Sequence, residues 1–195
     1  DTEDARVRHE ATHGGHVPRP AAPGPLAVAA VAAAAALLVA TGVAWAWGGW
    51  AIDLPWAPTL GMRLDLRLDG LAVVYALLAA GIGVLVFAYG AAYLPRHIAH
   101  EDRPATEARR FWQWMVLFML AMAALACAQD LVLLFLCFDL TAVASYFLIG
   151  FDRHRVEARG AALMALVVTG GSAVALLVGA VILRVEYGTF SLPEL

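Results

Sequence analysis

The chain contains no lysine, and all thirteen of its basic residues are arginine. Amine chemistry such as Schiff-base formation is therefore excluded within it. Charge is sparse, at 15% of 195 residues with a formal net charge of −3, so there is no strongly basic surface for nucleic acid. Only two cysteines occur, Cys127 and Cys137. Both fall in long apolar runs, which reads them as small packing residues and not as a disulfide or a metal site. No nucleotide-binding loop, nucleophile triad or paired metal-ligand motif appears, so no cofactor, no metal and no soluble catalytic domain are expected.

What the chain has in abundance is apolar surface. Hydrophobic residues make up 62% and the mean hydropathy is +0.75, far above a soluble domain. Five runs approach or exceed the ~20 residues needed to cross ~30 Å of hydrocarbon: residues 25–47, 70–94, 111–128, 131–151 and 161–183. The expectation is an all-α integral membrane protein of five transmembrane helices, with a polar loop or tail over residues 1–24. Basic residues precede the first run, but its 23 residues exceed the core of a signal peptide, and it reads as a retained span. His9, His13 and His16 have a spacing that can gather a metal on a helix, but in a tail broken by glycine and proline they read as incidental.

The arginines alternate in density. Three precede the first span, two follow it, then four, none, three and one, which gives ten on one side and three on the other. The basic side of a plasma-membrane protein is cytoplasmic, so the amino terminus, the loop from Arg96 to Arg110 and the loop from Asp152 to Arg159 are expected inside. Trp45, Trp47, Trp50 and Trp56, then Trp112 and Trp114, read as interfacial belts. Residues Met62 to Asp69 alternate apolar with charged, the period of a half-buried strand, and a short β-hairpin arm is expected on the outer face.

Asp139 is the only acid or base inside any of the long runs. A carboxylate at bilayer depth costs roughly 2.5–3.5 kcal/mol on insertion scales, and such residues usually mark ion pathways. On a helix Asp139 shares its face with Val132, Phe135, Ala142, Val143 and Tyr146, and Tyr146 is the polar neighbour on that face. A carboxyl group that changes charge as a partner approaches or retreats can relay a proton; the alternative is a structural hydrogen-bonder in a non-transporting scaffold. In the last run Gly171, Ala175 and Gly179 leave one helix face without bulk, a seam for close helix packing. Thr169-Gly170-Gly171-Ser172 beside it reads as a packed helix, with a local break as the alternative. Asp69 and Asp130 sit at span edges and read as interface residues or helix N-terminal groups. His97, His100, Glu101 and Asp102 read as a solvated loop.

The order of motifs resembles a known family: Leu68-Asp69-Gly70-Leu71 opening a span with Gly81 and Gly83 within it, then Arg110-Phe111, Asp130-Leu131, Phe138-Asp139-Leu140-Thr141 running into Ser145-Tyr146-Phe147-Leu148-Ile149-Gly150-Phe151, and Gly188-Thr189-Phe190. This is similar to the antiporter-like subunits shared by multisubunit Na+/H+ antiporters of the Mrp type and respiratory complex I. The resemblance runs from about residue 54 to residue 195. It is nearest the amino-terminal part of the A-type subunit of those antiporters, with the L-type subunit of complex I next. The family's acid at this motif is usually Glu preceded by Trp and pairs with a lysine on a later helix; here it is Asp139 preceded by Phe138.

The resemblance implies a fragment of a larger helical bundle, a transporter subunit and not an enzyme in itself, with a redox-driven quinone oxidoreductase as the related alternative. It implies Asp139 as a proton relay and other membrane subunits as partners in the cell membrane. Protons, with Na+ or K+, are the implied cargo.

Overall fold

The computed structural model describes residues 24–57, 61–100 and 105–195. The tail over residues 1–23, with His9, His13 and His16, lies outside them. Five helices follow the five apolar runs: α1 (Pro25–Ala46), α2 (Gly70–His100), α3 (Ala105–Cys127), α4 (Leu131–Ile149) and α5 (Val156–Tyr187). All five are long and apolar enough to cross a membrane. In lipid a helix is the form that satisfies its own backbone polar groups, so each run closes its hydrogen bonds internally.

The helices extend past the apolar runs, which corrects two sequence expectations. Arg96 continues α2 beyond Pro95, and Arg109 and Arg110 lie within α3, so most of the expected Arg96–Arg110 loop is helix. Likewise α5 begins at Val156 and includes Arg159. Apolarity marks the depth of hydrocarbon, whereas the backbone ladder runs on into the interface, where charged side chains reach water.

Between α1 and α2 an antiparallel hairpin forms from β1 (Ala51–Ala57) and β2 (Met62–Arg67). Its register sets Asp53 opposite Asp65, an unfavourable pairing of like charges. Each acid has an arginine: Arg63 donates to Asp53 at 2.8 and 2.5 Å, and Arg67 donates to Asp65 at 3.2 Å. The Arg63 hydrogen bonds hold the exposed Asp53 carboxyl below its ordinary value.

The main core joins α1, α2 and α3. Ala27, Ala30 and Ala34 present a small face on α1 against Phe87, Ala91 and Leu94 of α2 and Trp112 and Met119 of α3. Small side chains let membrane helices approach closely, where dispersion supplies the attraction. Trp112 is therefore not a belt residue. It is buried, edge-on to Phe87 at 6.0 Å and to Phe111 at 5.5 Å, because α3 starts at Ala105 and puts residue 112 two turns into the bundle. Trp45, Trp47, Trp50 and Trp56 are exposed near the hairpin, as interfacial side chains should be.

The chain leaves α1 through Gly48 and Gly49, both at positive φ. A Cβ on Gly49 would sit 2.5 Å from the Leu68 carbonyl oxygen, on backbone that cannot move aside cheaply. Gly49→Ala should lower stability by about 1–3 kcal/mol, seen as earlier thermal unfolding in detergent; an unchanged midpoint would refute the close approach.

Candidate functional site

Helix α4 begins at a three-residue link, Ala128 to Asp130, after α3 ends at Cys127. The Asp130 side chain is buried, and its Oδ1 accepts from the backbone N–H groups of Val132 at 2.8 Å and Leu133 at 3.1 Å. These are orphan donors of the first turn, and the carboxylate also complements the positive end of the helix dipole. Asp69 caps α2 in the same manner, accepting from Leu71 at 3.0 Å and Ala72 at 2.8 Å. Both acids are helix N-terminal groups, one of the two roles their positions at span edges suggested.

The link is fastened on both sides. The Gln129 N–H donates to the Asp65 carbonyl of the hairpin at 2.9 Å, the Leu192 N–H donates to the Gln129 carbonyl at 2.8 Å, and the Leu131 N–H donates to the Phe190 carbonyl at 2.9 Å. Hairpin, link and carboxyl-terminal segment thus form one hydrogen-bonded surface at one end of the bundle.

Asp139 lies nine residues beyond Asp130, about 14 Å further along α4 at 1.5 Å per residue, close to the middle of a ~30 Å hydrocarbon layer. It is half-buried, since α3 and α5 flank α4 without sealing this face. No described residue makes a hydrogen bond or ion pair with it. Tyr146 is also half-buried, and its ring meets Phe147 edge-on at 5.2 Å; the structure does not join it to Asp139. The nearest hydroxyl in sequence, Thr141, donates to the Phe138 carbonyl at 2.7 Å within the helix. A cavity of about 810 Å³ between α2 and α3, lined by Tyr75, Ile82, Met115, Met119 and Met122, does not include Asp139.

On α5 the small-residue seam faces outward. A Cβ on Gly171 or Gly179 would meet nothing within 4 Å, and Ala175 is exposed. The small side chains α5 buries are instead Ala162, Ala173 and Ala180. The Thr169–Ser172 stretch is continuous helix: Thr169 donates to the Ala165 carbonyl at 2.6 Å and Ser172 to the Thr169 carbonyl at 2.8 Å. These hydroxyls are satisfied within the helix, and no break occurs.

Sequence reasoning missed one pair at the arginine-rich end. His97 is on α2, not in a loop, and its Nε2 lies 3.1 Å from Asp152 Oδ1 while Nδ1 lies 3.3 Å from the Tyr93 hydroxyl. Its ring stacks on Tyr93, which stacks on Tyr89. The four-residue spacing of Tyr89, Tyr93 and His97 is the signal that could have found it, masked by Pro95, which ordinarily ends a helix. The side chains of His100, Glu101 and Asp102 lie outside the described residues. Among the described residues no cluster of ligands fit for a metal occurs, and Cys127 and Cys137 are buried free thiols.

Comparison with known proteins defines the class. Residues 128–195 match the family described as NADH:quinone oxidoreductase/Mrp antiporter, TM. The chain is 32% identical over 145 residues to the Staphylococcus epidermidis protein named "Putative antiporter subunit mnhA2", covering 74% of this chain and 17% of that protein. A Staphylococcus aureus protein of the same name is 32% identical over 143 residues, with 73% and 17% covered. A chain in the structure of the Mrp complex from Dietzia sp. DQ12-45-1b superposes with a TM-score of 0.68 at 30% identity, covering 86% of this chain and 17% of that one. The chain is thus a multi-span membrane protein of the antiporter-like type found in Mrp complexes and complex I. It spans about 17% of the length of the curated relatives it matches. Those relatives are named as antiporter subunits, that is, as transporters and not enzymes.

The two acids of α4 should separate in experiment. Asp130→Ala strands one buried and one part-buried N–H group and should cost about 1–2 kcal/mol. Asp130→Asn keeps an accepting oxygen and should unfold within a few degrees of the parent in a thermal melt. If both variants melt alike, the cap is not what stabilises the start of α4.

Proposed function

We propose that this chain forms part of a proton-translocating or monovalent cation/proton antiporter subunit, with Asp139 as a proton-relay carboxylate and Tyr146 as a supporting hydroxyl. The observation that carries this reading is an acid at mid-membrane depth on α4, half-buried and with no polar partner among the described residues, inside the stretch matching the antiporter family. An acid doing structural work is expected to be bonded, as Asp130 is; an acid left unbonded beside an open face is available to water or to a cation brought by another helix. Asp is one methylene shorter than the family's Glu, so it reaches about an ångström less far, and a bridging water suits it better than a direct pair. Other membrane subunits of an Mrp or complex I-like assembly are the proposed partners, with H+ and either Na+ or K+ as cargo.

The open Gly171/Ala175/Gly179 face supports a second reading, a non-transporting scaffold that docks a neighbouring helix there. Asp139→Asn separates the two in the assembled complex. A relay predicts normal assembly with transport reduced about 10²-fold or more, the usual loss when a positioned proton carrier is removed. Undiminished transport would sink the relay.

The ten-to-three arginine asymmetry supports a cytoplasmic arginine-rich end and an outer hairpin end. In a background lacking Cys127 and Cys137, Glu194→Cys should react with an impermeant maleimide in intact cells, and His154→Cys only after permeabilisation. The opposite pattern would invert the topology.

A further inference from the structure

A recess of about 490 Å³ opens at the arginine-rich end between α3 and the turn joining α4 to α5, lined by Arg110, Gln113, Trp114, Leu117, Phe147 and Arg153. Arg110, Gln113 and Arg153 are exposed and Trp114 is half-buried. Neither arginine side chain makes a hydrogen bond or ion pair with a described residue, which sets them apart from Arg63 and Arg67 at the other end. Glu107 lines an adjoining recess with both arginines and has an interaction of its own.

The lining has a direction. Residues 110, 113, 114 and 117 share one face of α3, and over about 10 Å of helix they pass from guanidinium to amide and indole to an aliphatic side chain. Trp114 stacks flat on Phe147 at 4.1 Å and 12°, making a rigid aromatic floor below the two charges. Phosphate, then ester groups, then hydrocarbon is the order in which a phospholipid meets a membrane protein from surface to core. Guanidinium groups bind phosphate bidentately, and basic recesses between membrane helices hold anionic headgroups.

From this we infer that the recess is a binding site for an anionic phospholipid, with Arg110 and Arg153 on its phosphodiester and the acyl chain descending past Trp114 toward Leu117. The occupant is the lipid and not free phosphate, because the apolar lower lining has nothing to offer a bare anion. The inference stands apart from the transport reading, since it involves neither Asp139 nor proton movement.

The test titrates the full 195-residue chain in nonionic detergent and reads bound lipid by native mass spectrometry. The probes are phosphatidylglycerol, phosphatidylcholine and glycerophosphoglycerol, the same headgroup without tails. Phosphatidylglycerol should bind at least about ten-fold tighter than either alternative. R110Q/R153Q should weaken it about thirty-fold, at about five-fold per arginine near a membrane surface, while R109Q/R159Q, which removes equal charge from the same end, should change it less than two-fold. Equal binding of phosphatidylglycerol and phosphatidylcholine by the parent chain would overturn the site without reference to any variant. Equal binding of the tail-free headgroup would overturn the lipid as occupant. Equal loss in the two double variants would reduce the effect to diffuse charge.

Discussion

The arrangement depends on how α4 begins. Two membrane-crossing helices meet at a link of three residues, Ala128 to Asp130, and a helix start within a packed region needs acceptors for N–H groups that no preceding turn can supply. Asp130 provides one from its side chain and is itself taken out of water to do so. The backbone of the link is bonded on one side to the hairpin and on the other to the segment after α5. A slip of one residue in α4 would break these contacts together and rotate every side chain on the helix by about 100°. Fixing the cap therefore fixes both the depth and the face of Asp139.

The two acids of α4 divide the cost of buried charge between them. Asp130 is fully enclosed and bonded, and its charge offsets the helix dipole. Asp139 is less enclosed but has no partner among the described residues. Unpartnered polar groups persist in a membrane segment only if something outside the segment completes them or if a function requires the incompleteness. The outward face of α5 tells a similar story, for it carries Val167, Val174, Val178 and Ile182 exposed beside its small residues. A surface of that kind is indifferent between lipid and a neighbouring helix until shape decides.

The helical spans were legible because the bilayer imposes one long, coarse period on composition, which no short-range ambiguity disguises. The hairpin was legible from the strict alternation of Met62 to Asp69. Helix ends were not, because hydropathy falls where the hydrocarbon stops and the backbone ladder does not. That single effect moves Arg109, Arg110 and Arg159 from loops into helices, takes Trp112 from the interface into the core, and hides the His97–Asp152 contact, whose partners are 55 residues apart. The small-residue stripe on α5 is a true pattern, but a pattern of small residues names a face without saying which neighbour it serves. Within this chain the buried face is the one bearing Ala162, Ala173 and Ala180.

The absence of lysine bears on all of this. The family's acid at this motif pairs with a lysine, whose proton affinity shifts readily on burial, whereas arginine does not deprotonate in proteins. Within this chain the bases are arginines or histidines, and none lies inside a long apolar run. Arg63 and Arg67 serve as ion-pair partners at the hairpin, and Arg184 lies over a ring, 5.3 Å above Phe190. On the proposed relay reading, the group that exchanges a proton with Asp139 is water or a titratable group on another helix. The half-open face of α4 is where such a group would arrive, and the capped, doubly hydrogen-bonded link already sets the depth and the face at which it would meet Asp139.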